Sequence, residues 1–185
     1  MDVNGAAEAV RALSGSHRAV LIALDGFGGA GKSTLARVLA DQLGSAEVIA
    51  LDDFIVKEHV LDDSWEFAWD RARLREQVLE PLVAGRQAAF QRLDWATNTL
   101  GASIQVPRAD FVIVEGITTL HPELREHWDY SIWVETPVAV ARERGRARDA
   151  GNENEGHWDL WSRNDVGYRA GYEPDRAADV VIAGD

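Results

Sequence analysis

The sequence predicts an α/β fold in which a parallel sheet is covered by helices on both faces. Five short apolar runs are continuous rather than alternating in polarity, which is typical of strands that are buried on both sides. Helical patterns lie between these runs, and strands that alternate with helices form a parallel sheet through crossover connections. The length of 185 residues favours one domain over residues 1–185 and is sufficient to bury a core.

The individual elements can be assigned in order along the chain. The predicted strands are residues 19–24, 47–51, 111–114, 130–134 and 179–182. The predicted helices are residues 32–43, 71–84, 138–149 and 158–170. Gly44 gives the first helix a natural C-terminal stop, and Pro81 is expected to kink or end the second, because proline lacks a backbone N–H. The predicted apolar stripe of the first helix comprises Leu35, Val38, Leu39 and Leu43.

The charge balance excludes several classes of partner. Aspartate and glutamate outnumber lysine and arginine by 31 to 19, which gives a formal net charge of −12. Proteins that bind a nucleic-acid backbone normally carry a basic surface, so we expect no nucleic-acid partner. A polybasic attachment to a membrane surface is excluded on the same ground.

The cysteine content and the N-terminal sequence indicate in which cellular compartment the protein is expected. The chain contains no cysteine, which rules out disulfides, thiolate zinc sites and cysteine nucleophiles, and which fits a reducing compartment. The first residues contain no long apolar core, and the apolar run 19–24 is too short to span a bilayer. We therefore expect a soluble cytoplasmic protein with no membrane partner.

A glycine-rich loop at residues 26–34 is the strongest functional signal, because it matches the pattern G-x-x-x-x-G-K-[S/T] in full. Small residues allow successive backbone N–H groups to surround a phosphate chain, Lys32 can contact the β- and γ-phosphates, and Ser33 can bind Mg²⁺. A predicted strand precedes the loop and a predicted helix follows it, whereas a chance match would not require either. The pattern leaves open whether the nucleotide is a substrate, a switch or a structural ligand. The predicted nucleotide-binding residues are Gly26, Gly28, Gly29, Ala30, Gly31, Lys32, Ser33 and Thr34.

Acidic residues follow the second and third predicted strands, at the sheet edge where ligands gather in open α/β folds. Glu115 can bind Mg²⁺ directly or through water. Asp52 can bind Mg²⁺ or accept a proton from an attacking hydroxyl. The alternative for each is a solvated acid or a helix cap, and for Asp53 this structural interpretation is preferred.

Four arginines occur within residues 142–148 of this acidic chain, which favours a phosphate clamp. On a helix Arg142 and Arg146 share one face, while Arg144 and Arg148 share another, so all four can contact one ligand only if the helix breaks at Gly145. The alternative is an exposed face whose arginines pair with neighbouring acids. Residues 151–156 are predicted to form a mobile loop, so residues of about 142–157 are expected to form a lid.

The long segment 53–109 interrupts the alternation of strands and helices and is expected to build the site for a second substrate. Trp65, Trp69 and Trp95 could stack on a flat acceptor, although packing in the core is the preferred interpretation. Asp70 and Asp94 could bind acceptor hydroxyls, and Asp70 could equally cap the helix that follows it. The five histidines show no metal-ligand spacing.

Residues 26–33, 51–54, 112–117 and 144–149 together resemble the uridine kinase and phosphoribulokinase group of P-loop kinases, and Pro174 with residues 178–182 is similar to the last strand of that group. The resemblance implies a P-loop NTPase-type three-layer sandwich with a five-stranded parallel sheet, helices on both faces and a small lid. It implies transfer of the γ-phosphoryl group of ATP, with Mg²⁺, to a hydroxyl of a small molecule, for which a nucleoside is the favoured acceptor.

The same resemblance implies roles for individual residues. Asp52 would be the general base and Lys32 the phosphate ligand. The implied Mg²⁺ group comprises Ser33, Asp52 and Glu115, and Arg144 and Arg148 would be lid arginines. A homo-oligomer is left open.

Positions linked to nucleoside recognition in that group differ in this chain. Ile55 replaces the usual tyrosine after Asp-x-Phe, and Leu93 replaces the tyrosine of a Tyr-Asp pair. A histidine that often follows that pair is missing, and Asn98 and Thr99 occupy its region. Alternatives are therefore a kinase for pantothenate or a sugar, and an acceptor-independent ATPase or nucleotide-binding protein.

Overall fold

Five parallel strands form the central sheet of the computed structural model, which describes residues 1–15, 17–94 and 96–184. Two further strands pair with each other outside this sheet. In chain order the strands of the described residues are β1 (Val20–Gly26), β2 (Ala46–Ala50), β3 (Ala89–Asp94), β4 (Thr99–Gln105), β5 (Phe111–Glu115), β6 (Tyr130–Glu135) and β7 (Val180–Ala183). Strands β3 and β4 are the separate pair. The main sheet has the order β2-β5-β1-β6-β7 with every pair parallel. Every residue of β1 is buried, which requires cover on both faces of the sheet. The predicted α/β sandwich with a five-stranded parallel sheet is confirmed.

The helices lie between the strands, as the alternating pattern predicts. They are α1 (Val3–Ala12), α2 (Lys32–Leu43), α3 (Arg71–Leu74), α4 (Glu80–Val83), α5 (Val138–Arg148), α6 (Trp158–Tyr172) and α7 (Pro174–Ala177). Helix α2 ends at Leu43, and its C-cap Gly44 has a φ of 83°, a backbone angle that side chains disfavour and that glycine adopts readily. One detail of its predicted stripe is wrong: Val38 is exposed, and Ala36 is buried instead.

The segment predicted as one helix over residues 71–84 has three parts. A π-helical stretch, Arg75–Leu79, joins α3 to α4, and the N–H of Glu80 donates to the carbonyl of Arg75. Pro81 lies at the start of α4 and does not end the helix. Proline has no N–H to donate, and the wider π turn just before it accommodates the missing hydrogen bond.

Helix α1, the short helix α7 and the strands β3 and β4 have no counterpart among the predicted elements. Helix α1 buries Ala6, Ala7 and Val10, and Asp2 caps it by accepting from the N–H of Gly5 at 2.9 Å. Strands β3 and β4 form an antiparallel hairpin inside the segment 53–109, and every residue of β4 is exposed. An exposed strand lacks the apolar signal on which the sequence interpretation depends.

The topology determines where a ligand can bind. The chain passes from β1 to β2 and β5 on one side of the sheet, and then to β6 and β7 on the other. The glycine-rich loop follows β1, so it lies at the point where the strand order reverses, which is the usual ligand site in open α/β sheets. Among the described residues no helix combines the length and the apolar character needed to cross a bilayer.

Candidate active site

The glycine-rich loop is packed tightly against α5. Gly29 and Gly31 have φ angles of 80° and 96°, a left-handed conformation that side chains disfavour. A Cβ atom at Gly29 would lie 2.1 Å from the carbonyl oxygen of Ala141, so the loop can approach the helix this closely only with glycine at that position. The loop is therefore an open backbone cradle held by the first half of α5.

Lys32 is the first residue of α2 and is 8% exposed. Its Nζ donates to the carbonyl oxygens of Gly26 at 3.0 Å and Phe27 at 2.9 Å. The ammonium group therefore lies over the loop and is held there by backbone oxygens, within the same cavity lining as Gly28.

Ser33 and Glu115 form a hydrogen-bonded pair of side-chain oxygens beside the loop. The Ser33 Oγ donates to Glu115 Oε1 at 2.9 Å. Glu115 ends β5, where it lies level with Leu24 of β1 and Ala50 of β2. Burial raises the pKa of the Glu115 carboxyl, the charge of Asp52 adds to this, and the charge of Lys32 opposes it.

Asp52 lies directly after β2 in a short 3₁₀ turn, Leu51–Phe54. Leu51 and Phe54 are fully buried, so the turn is anchored in the core while Asp52 remains exposed. A Cβ atom on Gly116 would lie 2.4 Å from the Leu51 Cβ, which shows how closely the ends of β2 and β5 approach. The indole N–H of Trp69 donates to Asp52 Oδ1 at 3.3 Å.

The other acidic candidates have structural partners. Asp53 accepts from Arg92 Nε at 3.0 Å and ties the hairpin to the turn. Asp70 accepts from the N–H of Arg73 and caps α3, as the structural alternative predicted. Asp94 accepts from the N–H of Ala96 within the hairpin turn. Trp95 lies outside the described residues.

The structure separates the four arginines of α5 into two pairs. Arg142 and Arg146 both bind Asp159 at 3.2 Å on the outer side of the helix. Arg144 and Arg148 line the cavity above the loop. Arg148 Nε also donates to Asp149 Oδ1 at 2.9 Å, and this hydrogen bond raises the pKa of Arg148, with a smaller contribution from the charge of Asp52.

One cavity of about 510 Å³ brings most of the predicted site residues together. Two predicted residues of the loop do not line the cavity: Gly26 and Ala30 are buried, and the Ala30 carbonyl accepts from the Thr136 hydroxyl. Among the described residues there is no group of three or more acids or histidines that would hold a metal alone. The predicted residues in the lining are Gly28, Gly29, Gly31, Lys32, Ser33, Thr34, Asp52, Glu115, Arg144 and Arg148.

The sequence interpretation missed four side chains at or beneath this cavity. Trp158 and Trp161 of α6 line it together with Trp65 and Trp69. Asp165, also on α6, lines it and contacts the loop directly. Their roles depend on contacts between distant segments, so no local pattern indicates them.

The fourth missed residue, Asp25, is fully buried at the end of β1. It accepts from the N–H groups of Gly26 and Leu120 at 2.7 and 2.8 Å and from the Tyr168 hydroxyl at 2.8 Å. Burial raises the pKa of Asp25 and these hydrogen bonds oppose the shift. The sequence does contain a signal for Asp25, because an acid inside an otherwise apolar strand is buried and must be hydrogen-bonded.

Comparison with known proteins gives the chain its family. No protein-family model matches it. A uridine kinase of Halobacterium salinarum is 30% identical over 158 residues, which cover 76% of this chain and 68% of the relative. A uridine kinase of Clostridium perfringens is 32% identical over 144 residues, which cover 71% of this chain and 69% of the relative.

Solved structures share the fold across nearly the whole chain. A possible uridine kinase from Bacillus stearothermophilus has a TM-score of 0.75 at 22% identity, covering 97% of this chain and 96% of the other. A proposed fructose transport system kinase from Silicibacter sp. TM1040 has a TM-score of 0.73 at 24% identity, covering 98% of both chains.

The fold, the loop and these matches together define a P-loop kinase, a phosphotransferase that acts on a small-molecule acceptor. Within that class the chain belongs to the uridine kinase family.

Proposed function

We propose that this protein transfers the γ-phosphoryl group of ATP to a hydroxyl of a small molecule, with a nucleoside as the favoured acceptor. One observation carries the proposal: the phosphate cradle, the carboxylate of Asp52 and two lid arginines line a single cavity. A protein that only binds ATP needs the phosphate cradle, but it needs neither a proton acceptor nor a pair of arginines beside the cradle.

The residues around the loop fit MgATP. The open cradle exposes backbone N–H groups at the start of α2, which suits the phosphates, and Lys32 supplies a positive charge beside them. Ser33, Asp52 and Glu115 offer hard oxygen ligands, and Mg²⁺ binds through few protein oxygens when phosphates and water complete its shell. When bound, Mg²⁺ neutralises phosphate charge, and ATP supplies the phosphoryl group.

In the proposed reaction Asp52 accepts the proton of the acceptor hydroxyl. The hydroxyl oxygen forms a bond to the γ-phosphorus as the bond from that phosphorus to the ADP oxygen breaks. The proton passes to Asp52 Oδ2 or Oδ1, and the guanidinium groups of Arg144 and Arg148 stabilise the negative charge that spreads over the transferring group.

Four tryptophans form the walls on the acceptor side of the cavity. Trp65, Trp69 and Trp158 are largely buried, as the preferred interpretation of core packing predicts for Trp65 and Trp69, and Trp161 is half-buried. Each ring donates its only N–H to the protein, so the part that faces the cavity is aromatic carbon rather than a hydrogen-bonding group. Such surface stacks on a nucleobase, which supports a nucleoside. The bonds run from Trp65 to Asp165, from Trp69 to Asp52, from Trp158 to Asp149 and from Trp161 to the Val60 carbonyl.

Other acceptors use the same machinery. Aromatic faces also pack against sugar rings, and one structural neighbour is a proposed fructose transport system kinase, so a sugar is the second candidate. Pantothenate is a third. In each case the segment 53–109 supplies the acceptor side of the site and residues of about 142–157 supply the lid. A cytoplasmic location and a homo-oligomer stay predictions.

The proposal is tested by measuring ADP release from MgATP with nucleosides, pantothenate and sugars offered separately. We expect release to depend on an added acceptor and to be greatest with a nucleoside. Release that is indifferent to every acceptor would instead identify an ATPase.

We expect Glu115→Gln to raise the Mg²⁺ concentration needed for half-maximal ADP release by at least about tenfold, the scale on which losing one supporting group weakens a metal site. The amide keeps the shape of the carboxylate but not its charge. Glu135→Gln is the matched control, because Glu135 ends β6, two strands away from β5 in the sheet, and binds Arg169 outside the cavity. Equal Mg²⁺ requirements in the two variants would contradict the assignment.

We expect Arg148→Gln to lower kcat by about 10²-fold, the usual effect of removing one donor that stabilises transition-state charge. Arg146→Gln removes the same charge from the outer face of the same helix, where Arg146 binds Asp159. Steady-state kinetics of both variants separate the two faces, and an equal loss in both would show that only the overall charge of α5 matters.

A further inference from the structure

One face of α6 links three parts of the molecule. Trp161, Asn164, Asp165 and Tyr168 follow the spacing of a single helical stripe. The side chains of Trp161 and Asn164 donate to the carbonyl oxygens of Val60 and Asp62, both at 2.8 Å. The Tyr168 hydroxyl donates to Asp25 at 2.8 Å. This face therefore holds residues 60–65 of the acceptor-side segment against the end of β1.

Asp165 lies at the centre of that face and is 2% exposed. Its Oδ2 accepts from the backbone N–H of Gly28 in the glycine-rich loop at 2.9 Å. Its Oδ1 accepts from the indole N–H of Trp65 in the acceptor-side wall at 2.8 Å. One buried carboxylate thus joins the phosphate cradle to the acceptor pocket, and each of its two oxygens accepts a hydrogen bond from one of them.

We infer that Asp165 is a positioning residue that couples the two substrate sites, so that the phosphate cradle has its binding geometry only when the Trp65 wall is in place. The inference rests on the proposed function for the identity of the two sites. It adds a residue that acts through Gly28 and Trp65 rather than on either substrate.

The energetics of a buried carboxylate make such a link effective. A buried charge is tolerated only when hydrogen bonds satisfy it, so loss of the Trp65 bond weakens the hold of Asp165 on the loop as well. The loop has little freedom to compensate, because a Cβ atom on Gly28 would lie 3.1 Å from the Trp158 ring and 3.5 Å from Asp165.

Protonation gives the link a measurable signature. Burial raises the pKa of Asp165 to about 6, which the bond from Trp65, the charge of Lys32 and the bond from Gly28 oppose and the charge of Asp25 reinforces. The charged groups that face it are Lys32 on α2 and Asp25 on β1, while Gly28 and Trp65 contribute uncharged N–H groups. The ionised form accepts from both donors as a charged group, whereas protonation weakens acceptance at the protonated oxygen, so the link is strongest above this pH and weakens below it.

The first test is a double-mutant cycle on binding of Mg²⁺ with a non-hydrolysable ATP analogue, measured by calorimetry at pH above the Asp165 transition. Asp165→Asn and Trp65→Phe should each weaken binding by at least about threefold, and the double variant should be no weaker than Asp165→Asn alone. Asp159→Asn, on the exposed side of the same helix, is the control and should bind as wild type. Two results would overturn the inference: losses of affinity that multiply in the double variant, or no loss of affinity in Trp65→Phe. If Asp165→Asn fails to fold, the measurement on Trp65→Phe alone still decides.

The second test is spectroscopic. The difference in indole fluorescence between wild type and Trp65→Phe should titrate with an apparent pKa near the value of about 6 that burial gives Asp165. The corresponding difference between Asp165→Asn and the double variant should not titrate in that range. A flat wild-type difference would contradict the link. Neither test requires phosphoryl transfer, so a wild type without acceptor-dependent ADP release would overturn the proposed function, while the link from Trp65 through Asp165 to the glycine-rich loop would still be decided by these two tests.

Discussion

Replacing Asp52 with asparagine is expected to reduce phosphoryl transfer by about 10²- to 10⁴-fold, the range attributed to a general base, while nucleotide binding at saturating Mg²⁺ stays close to wild type. Asparagine has the size of aspartate and its amide oxygen can still accept from the Trp69 indole, so the turn after β2 should keep its structure. It cannot accept the proton of the acceptor hydroxyl. The measurements are kcat for ADP release and the Kd of a non-hydrolysable ATP analogue.

The neighbouring acid provides the matched control for this prediction. Asp53 belongs to the same 3₁₀ turn but binds Arg92 and does not line the cavity. We therefore expect Asp53→Asn to retain most of the turnover. Near-wild-type turnover in Asp52→Asn would remove Asp52 from the role of general base, whereas equal losses in both variants would point to a disturbed turn.

Lys32→Ala is expected to weaken binding of the triphosphate by about 1.5–3 kcal/mol, or roughly 10- to 150-fold in Kd, the value of hydrogen bonds to a charged group. The Lys32 ammonium lies over the loop, and neither a backbone N–H nor water in this nearly buried position can replace its charge. Titration with MgATP analogues, together with thermal unfolding to confirm the fold, gives the result.

A control for Lys32 exists because the chain has only one other lysine, Lys57, which does not line the cavity. Lys57→Ala makes the same change in net charge and should bind the triphosphate as wild type does. A similar loss of affinity in both variants would mean that long-range charge, and not the contact of Lys32 with the phosphates, holds the nucleotide.

The sheet could be predicted from the sequence because its three inner strands β1, β5 and β6 are buried on both faces and therefore consist of continuous apolar runs. The edge strands β2 and β7 are only partly buried, but they too are short apolar runs. The hairpin β3–β4 could not be predicted, since every residue of β4 is exposed and its polarity carries no alternation. The helix continues through Pro81 because a π-helical stretch comes just before it, and the spacing of apolar side chains does not reveal that stretch.

The candidate site, too, contains residues that could be predicted from the sequence and residues that could not. The loop and the carboxylates at the strand ends could be found because their positions follow from a local motif and from the edge at which parallel strands end. The separation of the α5 arginines into two faces follows from helix geometry. Asp165 could not be found, because its function in the structure comes from bonds to Gly28 and Trp65, which lie 137 and 100 residues away in the sequence.

Transfer of the phosphoryl group itself is the most direct test of the central claim. ATP labelled at the γ-phosphate is incubated with Mg²⁺, the wild-type protein and the best acceptor, and the label is followed into products. We predict that the label appears in a phosphate ester of the acceptor, with one ester formed for each ADP released. Label found only as free inorganic phosphate, at a rate that the acceptor does not change, would contradict the account.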